Sequence, residues 1–180
     1  MASDWDALEK EYTVFKDYAR EGKFKTRILS VEIRSTSTGS IAQDFKFEDT
    51  DEYALPKATH WLTFKEGKDG WRKIHNRNLM MVLGATKEQA QSAVDTCESK
   101  GNQEAIVEAY RKMYNKLAQK HAEVEIEVSF DGQYSNADFT DPSVRMNGNS
   151  KKAKQEIDPL AGAEEVTLDQ PGLEIDDIPF

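Results

Sequence analysis

Cysteine is almost missing from this sequence. Cys97 is the only one in 180 residues, which excludes an internal disulfide framework and suits a reducing cytoplasm. Long apolar runs are missing too, and no stretch approaches the ~20 residues needed to span a bilayer. The chain opens Met-Ala-Ser-Asp-Trp-Asp, without the basic and then apolar run of a secretory signal. These absences lead us to expect a cytoplasmic chain that engages no membrane. Metal and nucleotide chemistry find little support. His60, His75 and His121 lack metal-ligand spacing, and there is no phosphate-binding glycine loop. No cofactor is expected. Glu123, Glu125, Glu127 and Asp131 resemble a nuclease carboxylate set only superficially. They alternate on one strand with no catalytic Lys or His nearby, so they read as an exposed sheet face and catalysis is not expected.

Charge is unevenly distributed. The formal net charge is −9, yet residues 155–180 contain eight acids and no Lys or Arg, a tail of −8. The remaining 154 residues hold 25 acids and 24 bases. Within them, residues 20–77 hold twelve bases against nine acids. A nearly neutral domain with a locally basic half therefore precedes an acidic module, and the overall isoelectric point describes neither.

The periodicities predict a mainly β fold with an α insertion. Trp5, Leu8, Tyr12 and Phe15 recur at helical spacing after a candidate N-cap, Ser3. Residues 23–34 predict a strand whose apolar parity slips, with Phe24 and Ile28 on one face and Leu29, Val31 and Ile33 on the other. Such a slip requires a bulge or sharp bend. Residues 41–47 and 58–65 predict two further strands. Helices are expected over 71–84, 87–99 and 103–121. The last of these carries Ile106, Val107, Tyr110, Met113, Tyr114 and Leu117 on one face. Residues 123–130 alternate strictly, Asp131-Gly132 marks a hairpin turn, and 133–140 completes it. Three strands, helices between strands 3 and 4, then two strands match a five-stranded OB-like barrel. The expected domain covers 1–146. Residues 147–180 have too few periodic apolar positions to fold alone and read as a disordered linker and acidic tail.

The last residues combine Glu174, Asp176 and Asp177 with the apolar anchors Ile178 and Phe180 around Pro179. Acids supply long-range attraction to a basic pocket, Pro179 lowers the ordering cost, and a terminal Phe180 offers ring and carboxylate together. A tail serving solubility alone would need only the acids. Asp176, Asp177, Ile178, Pro179 and Phe180 resemble, without a gap, the acidic tip of bacterial and bacteriophage single-stranded DNA-binding proteins. The helical insertion between Trp71 and His121 resembles the phage branch more than the cellular one, and the Gly/Gln-rich linker of many cellular members is missing. That resemblance implies sequence-independent binding and protection of single-stranded DNA in replication, recombination and repair. It also implies that the tip recruits proteins of the helicase, primase, polymerase or recombinase class and competes with DNA for the basic groove. It leaves the oligomeric state open, a homo-oligomer included. An acidic adaptor or DNA mimic, binding replication proteins but no DNA, is the alternative, opposed by the basic stretch over 23–34.

Binding of a single strand needs cations along phosphates and aromatic faces for bases. Lys23, Lys25 and Arg27 share one face at the start of the first strand and Arg34 ends it; they touch DNA or form a solvated strand face. Trp61 and Lys65 lie on the polar side of the third strand, where Trp61 either stacks on bases or packs under the insertion. Trp71, Arg72 and Lys73, with Arg77 one turn on, form a basic and aromatic cluster. Tyr134, beside the hairpin turn, is a further stacking candidate. Glu123, Glu125 and Glu127 would repel phosphates, so the outer face of the fourth strand is expected to point away from the groove.

Overall fold

The structure, a computed structural model, describes residues 16–146 and Phe180. Of the helix expected over the first 20 residues, the part before residue 16 lies outside the described residues, as do the linker and tip residues Asp176, Asp177, Ile178 and Pro179; residues 16–20 are extended rather than helical, with Tyr18 bridged to Ala54. Among the described residues, five strands and three helices follow in the order β1 (Gly22–Ser35), β2 (Ile41–Phe47), β3 (Ala58–Leu62), α1 (Asp69–Val82), α2 (Lys87–Glu98), α3 (Gln103–Ala118), β4 (Glu123–Phe130) and β5 (Ser135–Phe139). The strands close into a barrel in the order β1-β2-β3-β5-β4. All pairs are antiparallel except β3 with β5, which run parallel through Ala58 and Ala137. This arrangement is consistent with an OB-like barrel. Among the described residues no helix is long and apolar enough to cross a membrane.

The parity slip in β1 is where the strand changes partner. Gly22 to Arg27 pair with β4, whereas Ile28 onward pairs with β2. The register jumps between Ile28 and Ser30, leaving Leu29 as the extra residue of a bulge. Thr26 and Ile28 point inward before the jump and Val31 after it. Leu29 does not join the core face, contrary to the sequence expectation. The bulge turns it outward, exposed.

Beyond the bulge, the edge of β1 that has left β4 is taken up by α3. The Asn115 side chain accepts from Val31 N (3.1 Å) and donates to Val31 O (2.9 Å), so one amide replaces a missing strand partner. The apolar face of α3 brings Tyr110, Met113, Tyr114 and Leu117 into the core. Phe45 of β2 meets Tyr114 and Phe139 edge-on, each at 5.4 Å between centroids. Such geometry favours the ring quadrupoles beyond area burial alone. Local signals set the helix ends. Thr86 and Gln89 form a reciprocal capping box at the start of α2. Gly84, at φ +98°, closes α1 with bonds from Gly84 N to Met81 O and Ala85 N to Met80 O, the Schellman pattern that needs a left-handed residue there.

Candidate nucleic-acid interface

The register across β1, β2 and β3 defines the barrel's outer face. Arg34, Ala42 and Trp61 form one row, and Glu32, Asp44 and Thr59 the next. Trp61 stands 40% exposed on this face. Asp44 is its organising centre. Its side chain is only 1% exposed and accepts from Arg34 Nε (2.7 Å), Lys57 Nζ (2.6 Å) and Thr59 Oγ1 (2.7 Å). Burial alone would raise its pKa, but the hydrogen bonds from Arg34, Lys57 and Thr59 overcome this and hold it below the usual carboxylate range. A buried carboxylate thus fixes two cations whose own side chains stay about half exposed.

Two clefts meet on this face. The first, of about 820 Å³, is lined by the aromatics Tyr18, Phe130 and Tyr134 and by the cations Arg20, Lys46 and Lys57. Tyr18 and Tyr134 are more than 60% exposed, and the Arg20 guanidinium lies 5.2 Å from the Phe130 ring centroid. Asp17 is the one carboxylate of that lining. The Asp131 carboxylate holds the turn that carries Tyr134, accepting from Gln133 N (2.9 Å) and Tyr134 N (2.7 Å). The second cleft, of about 580 Å³, holds Trp61, Lys65 and Trp71 beside the β1–β2 turn. Thr59 lines the first and Trp61 the second. Consecutive outward positions on a strand lie roughly 7 Å apart, so the clefts are neighbours along β3.

The structure separates the expected residues into three groups. Arg34, Trp61, Lys65, Trp71 and Tyr134 lie on the outer face or in the clefts. Lys23, Lys25 and Arg27 lie elsewhere, directly opposite Glu127, Glu125 and Glu123 of β4. That face is a charge-matched ladder, and the Lys25 ammonium stands 4.0 Å from Glu123. Neither the β4 glutamates nor these three cations line either cleft. The third group belongs to α1. Arg72 is buried and bonded to Glu98 through Nε (2.8 Å) and Nη2 (2.6 Å), to Asp69 at 2.8 Å and to Thr63 O at 2.9 Å. Its guanidinium also lies 4.4 Å from the Phe64 ring centroid. With its own side chain buried and its donors taken by Glu98, Asp69 and Thr63 O, Arg72 is a structural residue, which corrects its expected place in the strand-binding cluster. Lys73 is exposed and Arg77 half-buried, and neither lines a cleft.

Trp71 is held from behind. Its ring stacks on His75 at 4.8 Å and 7°. His75 Nε2 meets His60 Nδ1 at 3.1 Å, and His60 Nε2 meets Asp138 Oδ1 at 3.1 Å. These groups are joined end to end rather than converging on a point. Among the described residues no group of three His, Cys, Asp or Glu side chains could hold a metal ion.

The sequence reading missed Tyr18, Arg20, Lys46, Lys57 and Phe130. The outward parity of Lys46 on β2 was a usable signal. Tyr18 and Arg20 carried none, because they reach the cleft only through an isolated bridge from Tyr18 to Ala54 and the contact of Arg20 with Phe130. No protein-family model matches the chain, and no curated protein does.

Proposed function

We propose that this protein binds single-stranded DNA without sequence preference along the outer face of β1, β2 and β3. The observation that carries the reading is the adjacency of the two clefts through Thr59 and Trp61. Together they offer exposed aromatic faces at Tyr18, Tyr134 and Trp61, the half-buried ring of Trp71, and cations at Arg20, Lys46, Lys57 and Lys65, with Arg34 in the same row as Trp61. Aromatic faces accept any base and cations accept any phosphate, so such a lining favours backbone and stacking contacts over base-edge readout. Its role would be protection of single strands in replication, recombination and repair, with no catalysis of its own. Residues 176–180 would recruit replication or recombination proteins.

Titration of tryptophan fluorescence with oligo-dT at low and high salt tests this. Quenching that weakens with salt is the expected result. A chain that shows no quenching even after residues 147–180 are removed is instead an adaptor or DNA mimic. Oligo-U in parallel reports any preference for deoxyribose. For the tip, deletion of Phe180 should abolish partner recruitment while DNA affinity stays equal or rises; unchanged partner binding rules that role out.

A further inference from the structure

Phe180 is half-buried and packs against the hydrophobic core. The Nζ of Lys116 lies 5.9 Å from its ring centroid. Lys116 belongs to α3, with Lys112 one turn before it and Lys120 four residues after it. The spacing of four places Lys112 and Lys116 on one side of the helix axis, and Lys120 lies just past its last residue, Ala118. Lys112 and Lys120 are exposed. The residues preceding Phe180 include Glu174, Asp176 and Asp177, and no base follows Lys154. Neither cleft is lined by Lys112, Lys116, Lys120 or Phe180.

We propose that the acidic segment around Phe180 docks in cis on the lysine stripe of α3, with the Phe180 ring as its apolar anchor beside Lys116, and not in either cleft. The ring supplies burial and a cation–π contact, and the acids meet three cations of opposite sign. Each contact is weak alone. The segment is covalently attached, so its effective concentration at α3 is on the order of millimolar and a weak site suffices. The 33 residues between Met146 and Phe180 are enough to reach this helix. A partner that captures the segment must then displace it from α3, while both clefts stay open. Docking on α3 depends on Phe180 and the helix alone, whether or not the clefts bind nucleic acid.

The test compares amide and indole NMR shifts of the isotope-labelled full chain with those of the chain lacking Phe180 and of the Lys116→Glu chain. Both changes should shift amides over 112–120 in the same sense and leave the Trp61 and Trp71 indoles and the Tyr134 amide unmoved. Phe180 deletion touches no helix or strand, so it keeps the test valid if Lys116→Glu perturbs folding. A Lys112→Glu, Lys120→Glu chain should reproduce part of the shift. The pattern should persist on tenfold dilution and fade at high salt. Shifts concentrated at or shared with the clefts, no shifts at all, or shifts that vary with protein concentration would each overturn docking in cis on α3.

Discussion

Thr59 and Trp61 stand two residues apart on β3 and face the same way, yet each lines a different cleft. The indole of Trp61 is therefore at the middle of the proposed path rather than at its end. Its row neighbour Ala42 is fully buried, so the small residue in β2 lets the indole and Arg34 cover that part of the sheet. A base stacked on Trp61 would lie near Arg34 and Lys57, which sit together on Asp44 Oδ2. Trp61→Ala should weaken oligo-dT binding by about 1–3 kcal/mol, the usual worth of one base–aromatic stack. The side chain contributes little to the core, so the urea midpoint should move little. Isothermal titration paired with urea unfolding checks both; unchanged affinity would remove Trp61 from the path.

The cations can be ranked by the same geometry. Lys46 and Lys57 line the first cleft, although each already has a carboxylate neighbour, Glu32 at 2.5 Å and Asp44 at 2.6 Å. Lys25 sits in the charge-matched ladder with β4. Lys46→Ala and Lys57→Ala should each lower the slope of log K against log salt by about 0.7 if each lysine meets one phosphate. Lys25→Ala should leave the slope unchanged. Equal effects from Lys25→Ala and Lys57→Ala would show that the strand follows β1 and β4 instead.

Legibility in the sequence tracked how local the determining interaction was. The bounds of β2 and β4 and the bulge in β1 followed from period-two alternation and its interruption, which neighbouring residues set by themselves. The pairing of Lys23, Lys25 and Arg27 with Glu127, Glu125 and Glu123 did not, because it depends on which strand lies alongside β1 before the bulge. Two alternating charged faces looked like separate surfaces and are one. Arg72 was misread for a similar reason. Its partner Glu98 lies 26 residues away, at the end of a different helix, and nothing beside Arg72 in the chain announces burial. Trp61 was legible because a large aromatic on the polar parity of a strand is already an anomaly locally.

Arg72 and Glu98 should behave as a buried pair whose breaking is expensive. Their side chains are 5% and 7% exposed, and Tyr110 donates its hydroxyl to the same carboxylate at 2.7 Å. Removing the guanidinium takes away the two Arg72 hydrogen bonds to the buried Glu98 and leaves it the bond from Tyr110. Arg72→Ala is expected to cost about 3–5 kcal/mol of stability. Arg72→Lys should recover only part, since an ammonium cannot make the two-pronged contact. Chemical denaturation measures the loss. Oligo-dT affinity of the fraction that remains folded should match the parent chain; a selective loss of affinity would return Arg72 to the binding surface.

The stack behind Trp71 makes stability depend on pH. Burial pushes the His75 pKa down from 6.5 to about 4, the charge of His60 pushes the same way, and Asp138 opposes both. Between those values the unfolded chain holds a proton at His75 that the folded chain does not. Stability therefore rises with pH through this window. The full contribution is present above about pH 6.5 and is lost progressively down to about pH 4, where it amounts to on the order of 3 kcal/mol. Asp44, whose pKa is lowered, adds a loss in the same direction at still lower pH, as its carboxylate protonates and releases Arg34 and Lys57. His75→Gln removes the first titration but keeps the second. Urea midpoints measured from pH 7.5 to pH 3.5 should therefore be flatter for His75→Gln than for the parent between pH 6.5 and pH 4, and parallel to it below. Parallel curves across the whole range would show that the His75 pKa is the same in the folded and unfolded chains.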